Sequence, residues 1–346
     1  MNPYIMSMFM LGLGLGTTIT FMSSHWLLAW MGLEINTLAI IPLMAQHHHP
    51  RSVEASTKYF LTQATAAAMI LFASSTNAWI TGQWGISELS HPVPSTIMML
   101  GLALKIGMAP LHTWLPEVLQ GLDLTTGLIM STWQKLAPFS LLIQMNLNNS
   151  VMITMAIMST MVGGWGGLNQ TQLRKILAYS SIAHIGWMVL VLQFSPSLTL
   201  MTLAIYIFMT MSIFSLFKLN KTTSINALAM SWSKSPTMTA LTPLVLLSLG
   251  GLPPLTGFGP KWLILSELTK QELNSTATVT ALSALLSLYF YLRLSYAMTL
   301  TMSPSVTPVT NQWRFNTKQP AMHLAMSTIM SLMLLPLLPT MMTMVN

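Results

Sequence analysis

Glu34, Lys105, Lys135 and Lys261 each sit near the middle of a hydrophobic stretch, in a chain of which only 6% is charged. A charge at bilayer depth costs at least ~2.5–3.5 kcal/mol on insertion scales, so ionisable groups placed there usually line an ion or proton path. Burial disfavours the charged form of an amine, and a carboxylate nearby restores it by a Coulomb interaction that is strong where solvent screening is weak. Three central lysines facing one central carboxylate therefore read as proton carriers, with Glu34 setting the charge state of Lys105 and Lys105 that of Lys135. The plainer reading is a static ion pair, such as Glu34 with Lys105, that glues helices together.

Two histidines extend the set. His184 can bridge a second group of residues, because imidazole titrates near neutral pH and both gives and takes a proton. His112 lies just past Pro110 and is a weaker candidate. Either histidine can equally serve as a hydrogen bond between helices, and so can Thr132, Ser180 and Ser181, which otherwise suit water molecules of a proton wire. Glu117 and Asp123 are expected in a loop, away from the path.

These residues need an all-α membrane scaffold to position them. The chain has 346 residues, 53% of them hydrophobic, and a helix needs about 20 apolar residues to cross ~30 Å of hydrocarbon. Eleven candidate spans result: 3–22, 26–45, 58–80, 95–121, 124–145, 150–169, 177–195, 198–218, 238–270, 275–299 and 320–341. Asn2-Pro3-Tyr4 carries no basic n-region, so the first span is expected to start the mature chain with no cleaved leader before it. At 1.5 Å per residue, Glu34, Lys105 and Lys135 fall near the centres of their spans. Lys175, Lys218 and Arg293 fall near span ends, where long side chains reach the headgroups.

The fourth and ninth spans are too long for plain helices, and both contain Gly/Pro clusters. The first runs Gly101-Leu-Ala-Leu-Lys105-Ile-Gly107-Met-Ala-Pro110-Leu-His112-Thr-Trp-Leu-Pro116. The second runs Gly250-Gly251-Leu-Pro253-Pro254-Leu-Thr-Gly257-Phe-Gly259-Pro260-Lys261-Trp262. Proline leaves carbonyls without donors, which a membrane interior tolerates only against protein or water. One proline alone would suggest a packing kink, but two clusters, each beside a lysine, suggest broken helices around wet interiors.

The breaks lie five spans apart, and an odd offset inverts orientation. Two inverted five-helix repeats with discontinuous helices are expected, as in many secondary transporters. The first repeat covers about 1–148 and the second 149–300, with a C-terminal loop and last helix at 301–346. Glu34 lies two spans before the first break, and His184 two spans before the second.

Loops after even-numbered spans hold Arg51, Lys58, Arg174, Lys175, Lys218, Lys221, Lys234, Arg314 and Lys318, whereas the odd loops hold only Lys270. This bias places the N-terminus on the cytoplasm-like side, the matrix in a mitochondrion, and the C-terminus opposite. The net charge of +7 is explained by such topogenic residues facing anionic headgroups, without nucleic acid as a partner. The chain has no cysteine, which removes thiolate-ligated clusters, disulfides and Cys-containing zinc sites. His47-His48-His49 reads as a solvated loop more readily than as a metal tract. The 32 methionines read as apolar filling.

Five segments carry a family resemblance: Ala29-Trp-Met-Gly-Leu-Glu34-Ile-Asn36, Lys105 through Val118, Ser131-Thr-Trp-Gln-Lys135-Leu-Ala-Pro138, Ala178-Tyr-Ser-Ser-Ile-Ala-His184-Ile-Gly-Trp187, and Gly251 through Trp262. Together they resemble the NADH dehydrogenase subunit 2 family, the antiporter-like membrane-arm subunits of respiratory complex I. The resemblance implies proton translocation driven by electron transfer from NADH to ubiquinone. No cofactor is expected on this chain; NADH, FMN, iron–sulfur clusters and ubiquinone would be bound by other subunits. It further implies Glu34 and Lys105 as an ion pair, Lys135 as the central relay and Lys261 as the exit group.

Implied partners are the other membrane-arm and accessory subunits and membrane lipids, cardiolipin among them. Bacterial relatives of the family generally have about fourteen helices, so partners or lipid are expected to cover the side where three are lacking here. The methionine content also resembles proteins of animal mitochondrial genomes, which points to the mitochondrial inner membrane. A cation/proton antiporter outside complex I is the alternative, although such exchangers more often cluster intramembrane acids. A purely structural membrane scaffold is the third reading.

Overall fold

The computed structural model describes residues 3–46, 49–89, 91–145, 149–233, 235–301 and 321–345. His47, His48, Lys234, Arg314 and Lys318 lie outside the described residues. All regular structure among the described residues is helical. The chain divides into two compact units, Met1–Ser159 and Thr160–Asn346.

In the first unit, α1 (Pro3–Met22) and α2 (Trp26–Met44) are followed by the long α3 (Pro50–Thr81). The fourth span is broken into α4 (Pro92–Ile106) and α5 (Trp114–Gly121), and the fifth into α6 (Leu124–Ser131) and α7 (Trp133–Gln144). α8 (Asn149–Gly167) carries the boundary between the units.

The second unit contains α9 (Leu173–Leu192), α10 (Pro196–Asn220) and the short α11 (Ile225–Ala229). The ninth span is broken into α12 (Pro236–Gly250) and α13 (Phe258–Lys270), and α14 (Asn274–Thr299) follows. The last span is α15 (Ala321–Met333) and α16 (Leu338–Val345), bent by 69° at Leu334. The helices other than α11, which lies between two windows, thus fall on the windows expected from hydropathy. Five of them, α1, α2, α9, α10 and α14, are individually long and apolar enough to cross a bilayer.

Local chemistry sets the helix ends. Proline opens α3, α4, α10 and α12, where its missing N–H costs nothing and its fixed φ suits the first turn. Three histidines act as N-caps: Nδ1 of His25, His49 and His91 accepts from the backbone N–H two residues on, at 3.2, 3.2 and 3.4 Å. His49, read from the sequence as part of a loop, is thus the cap of α3.

The interruption between α6 and α7 was not signalled by any glycine. Pro138 cannot donate to the carbonyl of Gln134, one turn earlier. Thr132 Oγ1 donates to the Leu128 carbonyl at 2.7 Å, and Lys135 N–H reaches back only three residues, to the Thr132 carbonyl at 3.3 Å. Such local side-chain bonds compete with the helical ladder.

Glu117 also departs from expectation, since it lies in helix α5 and not in a loop. It accepts from Lys58 Nζ at 2.8 Å, and Lys58 also pairs with Glu54 at 2.9 Å. The hydrogen bond and charge of Lys58 hold the Glu54 carboxyl below its usual range. A depressed carboxylate stabilises the fold above its unfolded value and loses that contribution as pH falls through the folded one, so this contact weakens in acid. All three side chains are exposed, and pairs of this kind are worth little. Lys58→Ala is therefore expected to leave the melting temperature of the assembled protein unchanged at pH 7. A large drop in that melt would show the cluster to be structural.

Candidate functional site

In the first unit, six helices, α2 to α7, line a cavity of about 20 Å³. Asn36 and Thr37 of α2, Tyr59 and Gln63 of α3, Lys105 of α4, and Gln134 and Lys135 of α7 supply its polar lining. Lys105 and Lys135 are 7% and 4% exposed. The structure thus brings together two lysines that lie thirty positions apart in sequence.

Lys105 occupies the last turn of α4, where an ammonium favours the negative end of the helix dipole. Gly107 ends that helix at φ +85°, a conformation glycine adopts without steric cost. Trp114, at the start of α5, donates its indole N–H back to the Leu104 carbonyl at 3.0 Å. The indole closes the gap left by the break, and its ring packs on Tyr59 with centroids 5.8 Å apart.

Glu34 is half-buried on α2, one turn before Thr37, whose hydroxyl donates to its carboxylate at 2.8 Å. It lies within electrostatic reach of Lys105 and Tyr59. The contact ion pair expected between Glu34 and Lys105 is not formed: the Lys105 ammonium is buried with no hydrogen-bond partner among the described residues. The physical reason is that Thr37 holds the carboxylate on its own helix. His112 lies in the break, with Nδ1 3.3 Å from the Pro110 carbonyl, and is not among the residues lining the cavity.

The second unit repeats the device with the parts rearranged. Gly251 ends α12 at φ +77°. Lys261, in the first turn of α13, reaches across the break and donates Nζ–H to the Gly250 carbonyl at 2.7 Å. The lysine here does what the indole of Trp114 does in the first unit. A second cavity of about 20 Å³ is lined by His184, Trp187, Thr202, Gly257, Pro260 and Lys261, so His184 and Lys261 share one site. Thr256 donates to the Ser331 carbonyl, tying this break to α15.

Sequence reasoning missed Tyr59, Gln63 and Tyr206. Tyr206 of α10 is 1% exposed, its ring lies 5.5 Å from that of His184, and its hydroxyl is hydrogen-bonded with Ser181. A weak signal existed for α3, because Tyr59 and Gln63 are polar groups one turn apart inside an apolar span. None existed for Tyr206, since no spacing along the chain sets α10 beside α9.

Each cavity exceeds the roughly 10–15 Å³ that one water molecule needs. Buried amines, an imidazole and hydroxyls around such volumes can pass protons, and two broken helices each carrying a lysine define an antiporter-like membrane subunit. Residues 23–287 match the model of the NADH:quinone oxidoreductase/Mrp antiporter transmembrane family. Residues 288–342 match that of the NADH dehydrogenase subunit 2 C-terminus. NADH-ubiquinone oxidoreductase chain 2 of Tetraodon nigroviridis is 70% identical over 100% of both chains, and that of Oncorhynchus mykiss is 67% identical over 98% of both. A chain of respiratory complex I from Thermus thermophilus superimposes with a TM-score of 0.86 at 25% identity, covering 98% of this chain and 80% of its own. The protein belongs to the NADH:quinone oxidoreductase/Mrp antiporter family and, within it, to NADH-ubiquinone oxidoreductase chain 2.

Proposed function

We propose that this chain is a proton-translocating membrane-arm subunit of a mitochondrial NADH:ubiquinone oxidoreductase, using Glu34, Lys105 and Lys135 in one unit and His184 and Lys261 in the other. The observation that carries the reading is the repeated device: in each unit a helix is broken at a left-handed glycine, a lysine stands at the break, and a water-sized cavity adjoins that lysine. Arrival or loss of charge near a buried amine changes its proton affinity, so redox-driven charge movement elsewhere in the complex can be converted into proton uptake and release. His112, which faces a backbone carbonyl, has at most an entry role.

The electron carriers, FMN, iron–sulfur clusters and ubiquinone, belong to partner subunits on this reading, and this chain contributes no thiolate ligands. The N-terminus lies on the matrix side and the C-terminus on the intermembrane-space side, following the basic loops. The two repeats run over 1–148 and 149–300, with 301–346 appended. Other membrane-arm subunits, accessory subunits and cardiolipin cover its apolar exterior, of which Tyr4, Met8, Leu11 and Leu15 on α1 form a part.

Native electrophoresis of mildly solubilised membranes, with in-gel NADH oxidation and mass-spectrometric detection of this chain, tests the assignment. Co-migration with the large NADH-oxidising assembly is expected. Migration apart from that activity would favour a free-standing cation/proton antiporter.

A further inference from the structure

Gln63 has no part in the reading above, yet it is among the most constrained side chains of the first cavity. It lies one turn along α3 from Tyr59 and is 3% exposed, and its amide nitrogen has no hydrogen-bond partner among the described residues. The Lys105 ammonium on the same cavity is in the same condition. Leaving a buried donor unsatisfied is costly, more so when it is charged. The side-chain amide of Asn36, on the same lining, is unpartnered at both its nitrogen and its oxygen among the described residues, so three donors and one acceptor face a cavity of about 20 Å³ and call for a group that can both accept and donate. A neutral acceptor fits better than an anion, because the Glu34 carboxylate is within electrostatic reach.

We infer that Gln63 is a positioning residue of the proton path, its amide and the Lys105 ammonium together orienting a water molecule that connects Lys105 with Lys135. This rests on the proton-transfer reading of the two lysines. A water accepting from both donors has its lone pairs occupied, so its own hydrogens turn toward the rest of the lining, Lys135 included. In the transfer, an N–H bond of Lys105 breaks as an O–H bond forms, and one of the original water hydrogens forms a new N–H bond on neutral Lys135. The water is regenerated and one positive charge has moved. Without the Gln63 donor the water loses a fixed orientation, although every proton-carrying group remains.

The titratable groups around this point are Glu34 on α2, Tyr59 on α3, Lys105 on α4 and Lys135 on α7. The test is Gln63→Met in the whole complex, reconstituted in vesicles, with protons moved per electron read against pH. Gln63→His, which restores an N–H donor at similar reach, and Lys135→Met serve as companions, and all values are normalised to assembled complex. The inference expects Gln63→Met to lower the proton yield to about half or less and to displace the pH profile, and Gln63→His to recover most of both. A normal yield and profile in Gln63→Met, while Lys135→Met loses pumping, would overturn the role of Gln63 and leave the lysine reading standing. Equal losses in both Gln63 variants with an unchanged profile would reduce Gln63 to a packing residue. Normal pumping in Lys135→Met would overturn both.

Discussion

Lys135→Met is expected to lower NADH:ubiquinone turnover by roughly a hundredfold, the lower end of what a positioned proton-transfer group contributes. Methionine is close to lysine in length and removes a group that is expensive to bury, so packing around the 4% exposed site is retained and assembly with it. Lys135 lies three residues past the irregularity at Thr132 and lines the cavity with Lys105, so its loss removes a carrier and leaves the scaffold in place. Turnover by the assembled variant is measured with an artificial quinone and normalised to the in-gel band. Wild-type turnover in a fully assembled variant would exclude Lys135 as a relay.

Gly251→Ala is the second large effect. A Cβ at this position would lie 2.8 Å from Lys261 Cδ and 3.0 Å from its Nζ, on a residue held at φ +77°. The left-handed conformation alone costs about 1–2 kcal/mol for a residue with a Cβ. The lysine is flexible and will give way, which pulls its ammonium from the Gly250 carbonyl, now 2.7 Å away. Both halves of the broken helix then lose their link. Gly82→Ala separates strain from contact, since Gly82 has φ +74° and nothing within 4 Å of the added carbon. Gly82→Ala should lower the melting temperature slightly and leave pumping intact, whereas Gly251→Ala should lower both melting temperature and turnover, the latter severalfold. Equal behaviour of the two variants would show that the position of Lys261 does not matter.

Much of the scaffold was legible because depth in a membrane is written along the chain. Apolar windows located the helices, and the two Gly/Pro clusters located both breaks. What one dimension cannot carry is rotation about each helix axis. Glu34 and Lys105 both fall near the centres of their sequence windows, yet Thr37 turns the carboxylate to its own helix and the two do not touch. Lys261 was legible as a residue beside a break, but that it satisfies a carbonyl of the other half follows from a close approach that only Gly251 allows. The kink at Thr132 escaped notice because what marks it is a threonine side-chain bond to the Leu128 carbonyl, which no sequence pattern distinguishes from an ordinary helical threonine. The histidine caps of α2, α3 and α4 escaped it as well, since histidine is not among the residues usually favoured at that position.

The central claim is that buried lysines of this chain carry protons during turnover. It is tested most directly by the number of protons moved per electron in vesicles containing the assembled Lys135→Met complex, compared with wild type at matched turnover. A lower ratio is predicted, with the remainder supplied by other subunits of the complex. An unchanged ratio would contradict the account and leave the chain as a scaffold.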